Sequence, residues 1–384
     1  MKKDFSNPSN FLWIENISKR DLENFRTFTL LKKLDDNKIT TYSLAKKLGR
    51  SYSTVYGWRN ELRLPKLAHW SNLYTKLEKP KENHKLLWMN LGYKIIPSEK
   101  PIEVPLEIKG WNDVKKVIKQ LAPIENNLEI SKEECFAFVL GMTIGDVGKL
   151  SKNRDRLDLQ LTKEIDTNEM LGEFFCKCLR KLGLRSHRIK DNRNKFRWHS
   201  QSSPFFQWIY NTLLGLKNEE NTTYNSVKVD WILDTPKVFI KRFLQGIFES
   251  DGSVLYDDRI TCAAYPNAEI IQRLLEKFNI KSYIINDKGW KRTNIEGFEN
   301  LRKSNNILFA PEIKTKRFKL LERIVNSNKT NGKRTPIKIR NNVIDLYNKG
   351  FKNYQISKLL LERHNFALSR RTIQRIINKE VEHA

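Results

Sequence analysis

FVLGMTIGDVGKL (residues 138–150) and FLQGIFESDGSVL (residues 243–255) align with each other without a gap. Their acidic residues, Asp146 and Asp251, are 105 residues apart. The similarity resumes later in each copy, where KLGLRSHRI (181–189) aligns with KFNIKSYII (277–285). A sequence that repeats itself in this way predicts two structurally equivalent halves.

Each copy has the same predicted order of elements. A helix ends in the acidic residue, a strand-like segment follows (LDLQLTK at 157–163, RITCAAY at 259–265), and then come a helix and a hairpin. We therefore expect an α+β fold with a pseudo-symmetric, duplicated core of the αββαββα type. Repeat 1 would span about 131–232 and repeat 2 about 233–326.

Small residues occur four positions apart in each motif helix. Gly141 and Gly145 form such a pair in the first copy, and Gly246 and Ser250 form one in the second. Residues at this spacing share one helix face, and small side chains let two helix backbones approach closely. The pattern predicts that the two motif helices pack against each other through these four residues.

Packing of this kind brings Asp146 and Asp251 to the same end of the interface. That end is the C-terminus of each helix, where the helix dipole disfavours a carboxylate. Two carboxylates placed there repel each other unless a cation lies between them. Carboxylate, water and phosphate oxygens are ligands that suit Mg²⁺. The motifs therefore predict a divalent metal site.

The charge balance of the chain indicates a polyanionic partner. Its 384 residues include 71 Lys and Arg against 44 Asp and Glu, which gives a net charge of +27. Nucleic acid is the first expectation and an anionic membrane surface the second. No stretch approaches the roughly 18 consecutive apolar residues of a transmembrane helix, and the N-terminus lacks an apolar signal core, so we expect a cytoplasmic protein. The four cysteines are too scattered for a disulfide framework or a zinc site and are expected to be core thiols.

The segment 38–62, KITTYSLAKKLGRSYSTVYGWRNEL, has the spacing of a helix-turn-helix. A small residue, a turn glycine and a branched apolar residue recur at the required intervals as Ala45, Gly49 and Val55. The exposed face of the second helix would then carry the DNA-contacting residues Ser53, Thr54 and Arg59. An ordinary helical hairpin is the alternative interpretation.

The C-terminal segment is predicted to form three further helices. Ser369 can cap the last one, and that helix carries Arg370, Arg371 and Gln374 in its first turns. A basic, capped helix of this kind fits a major groove. The alternative is a solvated basic helix that packs on the neighbouring domain.

These patterns divide the chain into five segments. We expect an N-terminal helical domain at 1–95, a proline-containing connector at 96–130, the duplicated core at 131–326, a linker at 327–336 and a C-terminal helix-turn-helix domain at 337–384.

The motif copies LGMTIGDVG (140–148) and LQGIFESDG (244–252) resemble those of the LAGLIDADG homing endonucleases, in the form that carries both copies on one chain. The resemblance implies that Asp146 and Asp251 hold Mg²⁺, with Mn²⁺ as a substitute, and that Gly145 and Ser250 adjoin the metals. It also implies that the sheet of each half lies in the DNA major groove. The implied reaction is cleavage of both strands of a long specific site by metal-activated water, as in intron homing.

The chain departs from the family pattern at several positions. Val147 replaces the usual glycine, and Ile144 replaces the acid that the second copy keeps as Glu249. Family resemblance places basic helpers near the metals, and the candidates here are Lys163, Lys314 and Lys316. The segment CAAYP, which corresponds to the one that holds Lys163, has no lysine, so we expect the two strands to be cut at unequal rates.

Alternation along the predicted strands identifies further candidate DNA contacts. In repeat 1 these are polar or basic residues of a strand and a hairpin: Arg156, Asp158, Gln160, Thr162, Arg188, Lys190, Arg193, Lys195 and Arg197. In repeat 2 they are the basic residues Lys288, Lys291 and Arg292. A solvated sheet face is the alternative.

Three functions remain open at this stage. The first is a site-specific endonuclease for double-stranded DNA. The second is a DNA-binding transcriptional regulator that does not cleave, and the third is a splicing maturase that binds intron RNA. We expect a monomer, because the duplication already supplies the two-fold symmetry that a dimer would provide.

Overall fold

The computed structural model describes residues 40–43, 51–53, 56, 84–88, 101–124, 128–145, 158–161, 165–190, 196–200, 204–216, 226–263, 267–287, 289–328 and 335–381. In the N-terminal helix-turn-helix pattern these include helical residues at 41–43 and 52–53. The rings of Tyr52 and Tyr56 stack with their centroids 5.8 Å apart, and both side chains are exposed. Ser53 is exposed as well, whereas Thr54 and Arg59 lie outside the described residues.

The predicted connector is part of the core rather than a linker. Strands β1 (His84–Trp88) and β2 (Pro101–Pro105) pair in antiparallel fashion, and helix α1 (Trp111–Gln120) follows. Val114, Val117 and Ile118 of α1 are buried in the main hydrophobic core. Proline favours a connector in the sequence, but Pro101 and Pro105 stand at the two ends of strand β2, in a two-stranded sheet where proline is tolerated.

Repeat 1 begins with the first motif helix. Its elements are α2 (Lys132–Ile144), β3 (Asp158–Leu161), α3 (Ile165–Lys181), β4 (Ser186–Lys190), β5 (Phe196–Ser200) and α4 (Pro204–Trp208), which continues as a π-helix at Ile209–Leu213. Ser131 and Glu134 form a capping box that starts α2. The sheet has the strand order β3-β5-β4 and is antiparallel. Helix α3 packs on one face of this sheet. Gly172 of α3 lies against the buried ring of Trp198, where a larger residue would not fit.

Repeat 2 follows a similar order of elements, with one more strand described in its sheet. A 3-10 helix at Asp230–Asp234 leads into α5 (Lys237–Asp251), β6 (Gly252–Leu255), β7 (Arg259–Cys262), α6 (Ala268–Glu276), β8 (Tyr283–Asp287), β9 (Trp290–Glu296), α7 (Phe298–Asn305) and α8 (Lys316–Val325). The sheet order is β6-β7-β9-β8, so β7, β9 and β8 correspond to β3, β5 and β4 of repeat 1. The predicted α+β fold with a duplicated core is confirmed.

The C-terminal segment forms three helices: α9 (Ile337–Asn348), α10 (Asn353–His364) and α11 (Arg370–Val381). They enclose a small apolar cluster that includes Val343, Ile356 and Ile373. Gly350 turns the chain between α9 and α10 with φ +83°, a conformation that favours glycine. Leu361 and Ala367 belong instead to the main core, so the three helices are docked on repeat 2.

The four cysteines are core thiols, as the sequence predicts. Cys135, Cys176, Cys178 and Cys262 are all buried free thiols. In the part of the chain that the structure describes, no helix has both the length and the apolar character needed to cross a bilayer.

Candidate active site and nucleic-acid interface

The two motif helices, α2 and α5, touch through their main chains. A Cβ atom added to Gly141 would collide with the carbonyl oxygen of Phe243, and one added to Gly246 would lie 2.8 Å from the amide nitrogen of Met142. Gly145 faces Ser250 at the same interface, and a Cβ there would collide with the serine side chain. All four small residues of the predicted stripe therefore lie between the helices.

The second motif acid lies at the end of this interface. Helix α2 ends at Ile144 with Gly145 as its C-cap, and α5 ends at Asp251. Oδ2 of Asp251 lies 3.3 Å from the position of a Cβ built on Gly145, so the half-buried carboxylate reaches across to the other motif helix. Asp146 follows Gly145 directly in the chain but lies outside the described residues.

The donor set at this end fits a hard divalent cation. The helix C-termini present carbonyl oxygens and the Asp251 carboxylate adds a formal negative charge, both of which attract a cation, whereas the guanidinium of Arg317 on the Glu249 carbonyl opposes it. Oxygen ligands of this type suit Mg²⁺. Among the described residues, no cluster of three or more His, Cys, Asp or Glu side chains could hold a metal ion. The Ser250 hydroxyl donates to the carbonyls of Gly246 (3.0 Å) and Ile247 (2.9 Å) within its own helix.

A buried acid and an arginine stabilise the last turn of α5. Glu249 is 1% exposed, and its Oε1 accepts hydrogen bonds from the Ala310 amide (3.1 Å) and the Thr315 hydroxyl (3.5 Å). Burial raises the pKa of Glu249 to about 7, although the nearby charge of Arg317 and these hydrogen bonds oppose the shift. The Arg317 guanidinium also donates to the main-chain carbonyl of Glu249.

Arg317 was missed by the sequence analysis, which selected the neighbouring lysines. Lys314 and Lys316 are both exposed, and Lys314 has a positive φ of 48° in the turn before α8. Thr315 caps α8 by accepting a hydrogen bond from the Phe318 amide, and this places Arg317 in the first turn, directed towards α5. A sequence of adjacent basic residues does not show which one faces the core.

A buried arginine joins the two motif helices to the loop that follows α7. Arg242 of α5 is 7% exposed and donates to Glu134 of α2 (3.0 Å) and to Glu312 (2.6 Å). Burial works against ionisation of Glu134 and Glu312. The hydrogen bonds and charge of Arg242, with main-chain hydrogen bonds at each acid, outweigh it and hold the pKa of both below the usual value.

Strand register separates the basic residues of the repeat 1 sheet into two groups. Arg188 pairs with Glu169 of α3 and lies over the Trp198 ring at 5.7 Å, so it is on the helix-covered face. The prediction of Arg188 as a DNA contact is therefore corrected, because Arg188 is paired with the buried Trp198 on the face that α3 covers. Arg197 is paired with Gln160 on β3 and with Ile189 on β4, so these three residues lie on the other face of the sheet.

Two histidines that are not among the predicted site residues lie on the same face as Arg197. His199 is paired with Asp158 on β3 and with His187 on β4, and the two imidazole rings have centroids 5.8 Å apart. A period-2 count through the hairpin would have found them, since the positions alternate with the buried Trp198. Lys190 is paired with Phe196, two positions along the strand from Arg188.

The repeat 2 sheet shows the same separation. Lys291 pairs with Glu269 of α6, on the face where Thr293 is buried against that helix. The prediction of Lys291 as a DNA contact is corrected for the same reason as that of Arg188. Arg292 is exposed on the opposite face, which α6 does not cover. Two exposed aromatic residues, Tyr283 and Trp290, lie on the same face as Arg292.

Other predicted positions lie outside the described residues. These are the repeat 1 and repeat 2 candidates Arg156, Thr162, Lys163, Arg193, Lys195 and Lys288. For Asp158 and Gln160 the structure gives the strand register described above.

The predicted recognition helix at the C-terminus is α11. Ser369 accepts a hydrogen bond from the Thr372 amide at 3.2 Å, as its predicted capping role requires. Arg371 is exposed, and Gln374 accepts a hydrogen bond from Asn353 at 2.8 Å. Arg370 lies 3.7 Å from a carboxylate oxygen of Asp257 in the turn between β6 and β7.

The comparisons with solved structures gave matches of low identity. Mesophilic variants of the homing endonuclease I-DmoI match with 17% identity and a TM-score of 0.35, over 47% of this chain and 98% of theirs. I-DmoI in complex with DNA and Mn matches with 17% identity and a TM-score of 0.36, over 47% of this chain and 99% of that one. Full-length DUF199/WhiA from Thermatoga maritima matches with 16% identity and a TM-score of 0.36, over 66% of this chain and 93% of that one.

A family match identifies the second repeat. A search of curated proteins gave no match. The family model for the LAGLIDADG-like domain matches residues 239–310, which run from the first turn of α5 to the loop after α7 and include the second motif. This match, together with the paired motif helices and the duplicated sheets, shows that the chain contains a LAGLIDADG-like domain.

Proposed function

We propose that this protein is a site-specific endonuclease that cleaves double-stranded DNA with the help of a divalent metal. The observation that carries the proposal is that the Asp251 carboxylate lies beside Gly145 at the end of the motif-helix interface. Gly145 directly precedes Asp146 in the sequence, and this adjacency supports a site that both motif acids share. A protein that only binds DNA has no need for converging carboxylates beside a phosphate.

The residues of this chain would have distinct tasks in the reaction. Asp251 and Asp146 would hold the metal ions, and Arg317 would fix the helix turn that carries Asp251. The bound metal would supply an activated water and stabilise charge on the phosphate oxygens. The sheet faces opposite the covering helices, with the half-buried Arg197 in repeat 1 and the exposed Arg292 in repeat 2, would hold the duplex so that one phosphate lies at each acid.

The net charge of +27 supports a nucleic-acid partner but does not distinguish cutting from binding. One feature favours a second candidate, a DNA-binding regulator without cleavage. The three C-terminal helices add an exposed basic helix that a nuclease core does not need for catalysis. The two functions make opposite predictions for the motif aspartates.

The test is incubation of a randomised duplex DNA library with the full chain in Mg²⁺ or in EDTA at low salt. The wild type is expected to cut one long motif in both strands only when Mg²⁺ is present. Asp251→Asn and Asp146→Asn should each keep binding to that motif and lose cleavage. If the wild type enriches a sequence by binding and leaves it intact in Mg²⁺ and Mn²⁺, the endonuclease proposal is wrong and the regulator replaces it.

A further inference from the structure

The C-terminal helices are held on repeat 2 by polar contacts as well as by the core. Nη2 of Arg323, on α8, donates to the main-chain carbonyls of Leu361 (3.0 Å) and Glu362 (3.3 Å) at the end of α10. The amide of Asn328 donates to the carbonyl of Asn365 at 2.9 Å. Because Leu361 is fully buried in the main core, these contacts seal an apolar junction rather than bridge two separate bodies.

The turn between β6 and β7 provides the second part of the docking site. Asp257 is buried there, and its Oδ2 lies 3.0 Å from Arg259 and 3.7 Å from Arg370, the first residue of α11. The ammonium group of Lys358, on α10, lies 5.7 Å from the centre of the Tyr256 ring. The other carboxylate oxygen of Asp257 is buried without a hydrogen-bond partner among the described residues. Arg259 is the nearer partner of this carboxylate, and Arg370, the first residue of α11, adds a second positive charge beside it.

This turn lies at the far end of the strand that starts from the candidate active site. Strand β6 begins at Gly252, directly after Asp251, and runs away from it to Leu255. At about 3.3 Å per residue, the turn lies roughly 15 Å from Asp251 along the strand. On a duplex with one base pair per about 3.4 Å, this distance corresponds to roughly five base pairs from the site of chemistry.

The exposed side of α11 is basic along its length. Ile373 and Ile377 are buried in the C-terminal core, whereas Arg371, Arg375 and Lys379 are exposed and stand four residues apart on another face. A helix of 12 residues is about 18 Å long, or roughly five base pairs of DNA. A polyanion with regularly spaced charges is the complementary partner.

We infer that α11 is a fixed outer extension of the DNA-binding surface of repeat 2, and that Asp257 is the positioning residue that sets its place. The partner is the duplex that flanks the target site on the repeat 2 side. Arg371, Arg375 and Lys379 bind its phosphates, and Arg370 anchors the helix to Asp257. The inference rests on the proposed DNA-binding function but does not require cleavage.

The test uses hydroxyl-radical footprinting of the full chain on a duplex selected by binding, with Ca²⁺ in place of Mg²⁺. Asp257→Asn raises the net charge by one, so simple electrostatics predicts equal or tighter binding. The docking inference predicts the opposite: protection recedes by roughly five base pairs at one end of the footprint only. Asp257→Glu, which keeps the carboxylate, should restore part of that protection.

A charge-removal variant tests the helix itself. Arg371→Ala combined with Arg375→Ala should shorten the protected region at the same end of the footprint. It should also lower the slope of log K against log salt by about 2. Lys349→Ala combined with Arg363→Ala removes two exposed charges from the neighbouring helices and should leave the boundary unchanged. Circular dichroism of each variant checks that the three helices are intact.

The outcomes separate the parts of the inference. If neither Asp257→Asn nor the α11 double variant moves the boundary, α11 does not bind the flanking duplex. If the α11 variant moves it and Asp257→Asn does not, the helix binds as a tethered module and the docking role of Asp257 is wrong. Either result leaves the cleavage test on the motif aspartates unaffected, so the two proposals fail separately.

Discussion

Gly141 of α2 packs against the main chain of Phe243 of α5, so the two motif helices are in contact through backbone atoms. Side chains cannot adjust to relieve an added methyl group at such a point. Gly246→Ala should therefore force the helices apart, because its Cβ would meet the Phe138 carbonyl and the Met142 amide. Overpacking of this kind should cost roughly 2 kcal/mol or more and lower the apparent Tm by about 5 °C.

Thermal unfolding measured by circular dichroism checks this prediction. Gly110→Ala is the matched control, because a Cβ at Gly110 has nothing within 4 Å and its φ of 170° is ordinary extended backbone. An equal loss in both variants would mean that the glycine contact is not what limits the approach of the helices.

Arg242 provides a second prediction for the same interface. Removing it by Arg242→Met leaves Glu134 and Glu312 without the cation that they share. Loss of one partner from a buried ion pair costs about 3–5 kcal/mol. Arg302→Ala, which removes an arginine from the exposed pair with Glu299, should cost about 1 kcal/mol or less. Comparison of the two Tm shifts measures how much burial contributes, and similar small shifts would contradict the structural role of Arg242.

The lowered pKa values of Glu134 and Glu312 make the stability of the fold depend on pH. Because the folded-state pKa of Glu134 is lowered, its contribution to stability is present above the unfolded value of about 4.5 and is lost as the pH falls through the folded value. The wild-type Tm should therefore drop as the pH is lowered below about 4.5. Glu134→Gln keeps a side chain that a capping box accepts, and its Tm should fall less steeply over that range. Parallel curves for the two proteins would assign the acid loss to other groups.

The repeat was readable in the sequence because it depends on identity at fixed spacing. The positions of Gly141, Gly246, Asp146 and Asp251 predicted both the helix interface and the end at which the acids emerge, and the structure places Gly145 and Asp251 together there. Small residues report on backbone approach directly, so no knowledge of loops was required.

The direction of long side chains was not readable in the same way. Arg188 and Lys291 are basic residues in predicted strands, but register places them under α3 and α6, where Glu169 and Glu269 pair with them. Register depends on where each hairpin turns, and composition does not give the position of a turn. The role of Arg317 also depends on where a helix begins. The hydrogen bond from the Phe318 amide to the Thr315 cap sets that position, and the sequence of adjacent basic residues does not give it.

Register also provides a matched pair of variants in β9. Arg292 is on the open face and Lys291 on the α6 face, although they are adjacent in sequence. Arg292→Ala should weaken duplex binding and reduce the salt slope by about 1, as expected for one phosphate contact. Lys291→Ala removes the same charge and should leave the slope unchanged. Titrations by fluorescence anisotropy at several salt concentrations measure both, and equal slopes would mean that the open face does not hold DNA.

Arg317 is expected to act on the rate of cleavage through the helix turn that carries Asp251. Its guanidinium donates to the Glu249 carbonyl, two residues before Asp251, and does not need to touch the substrate for this task. Arg317→Gln should therefore lower the single-turnover cleavage rate by about 10-fold, because the turn that carries Asp251 loses this support, and change the Kd for duplex little. Arg317→Lys keeps the charge and should recover part of the rate. A matching loss of rate and affinity in Arg317→Gln would instead identify Arg317 as a direct DNA contact, whereas a normal rate would exclude it from the site.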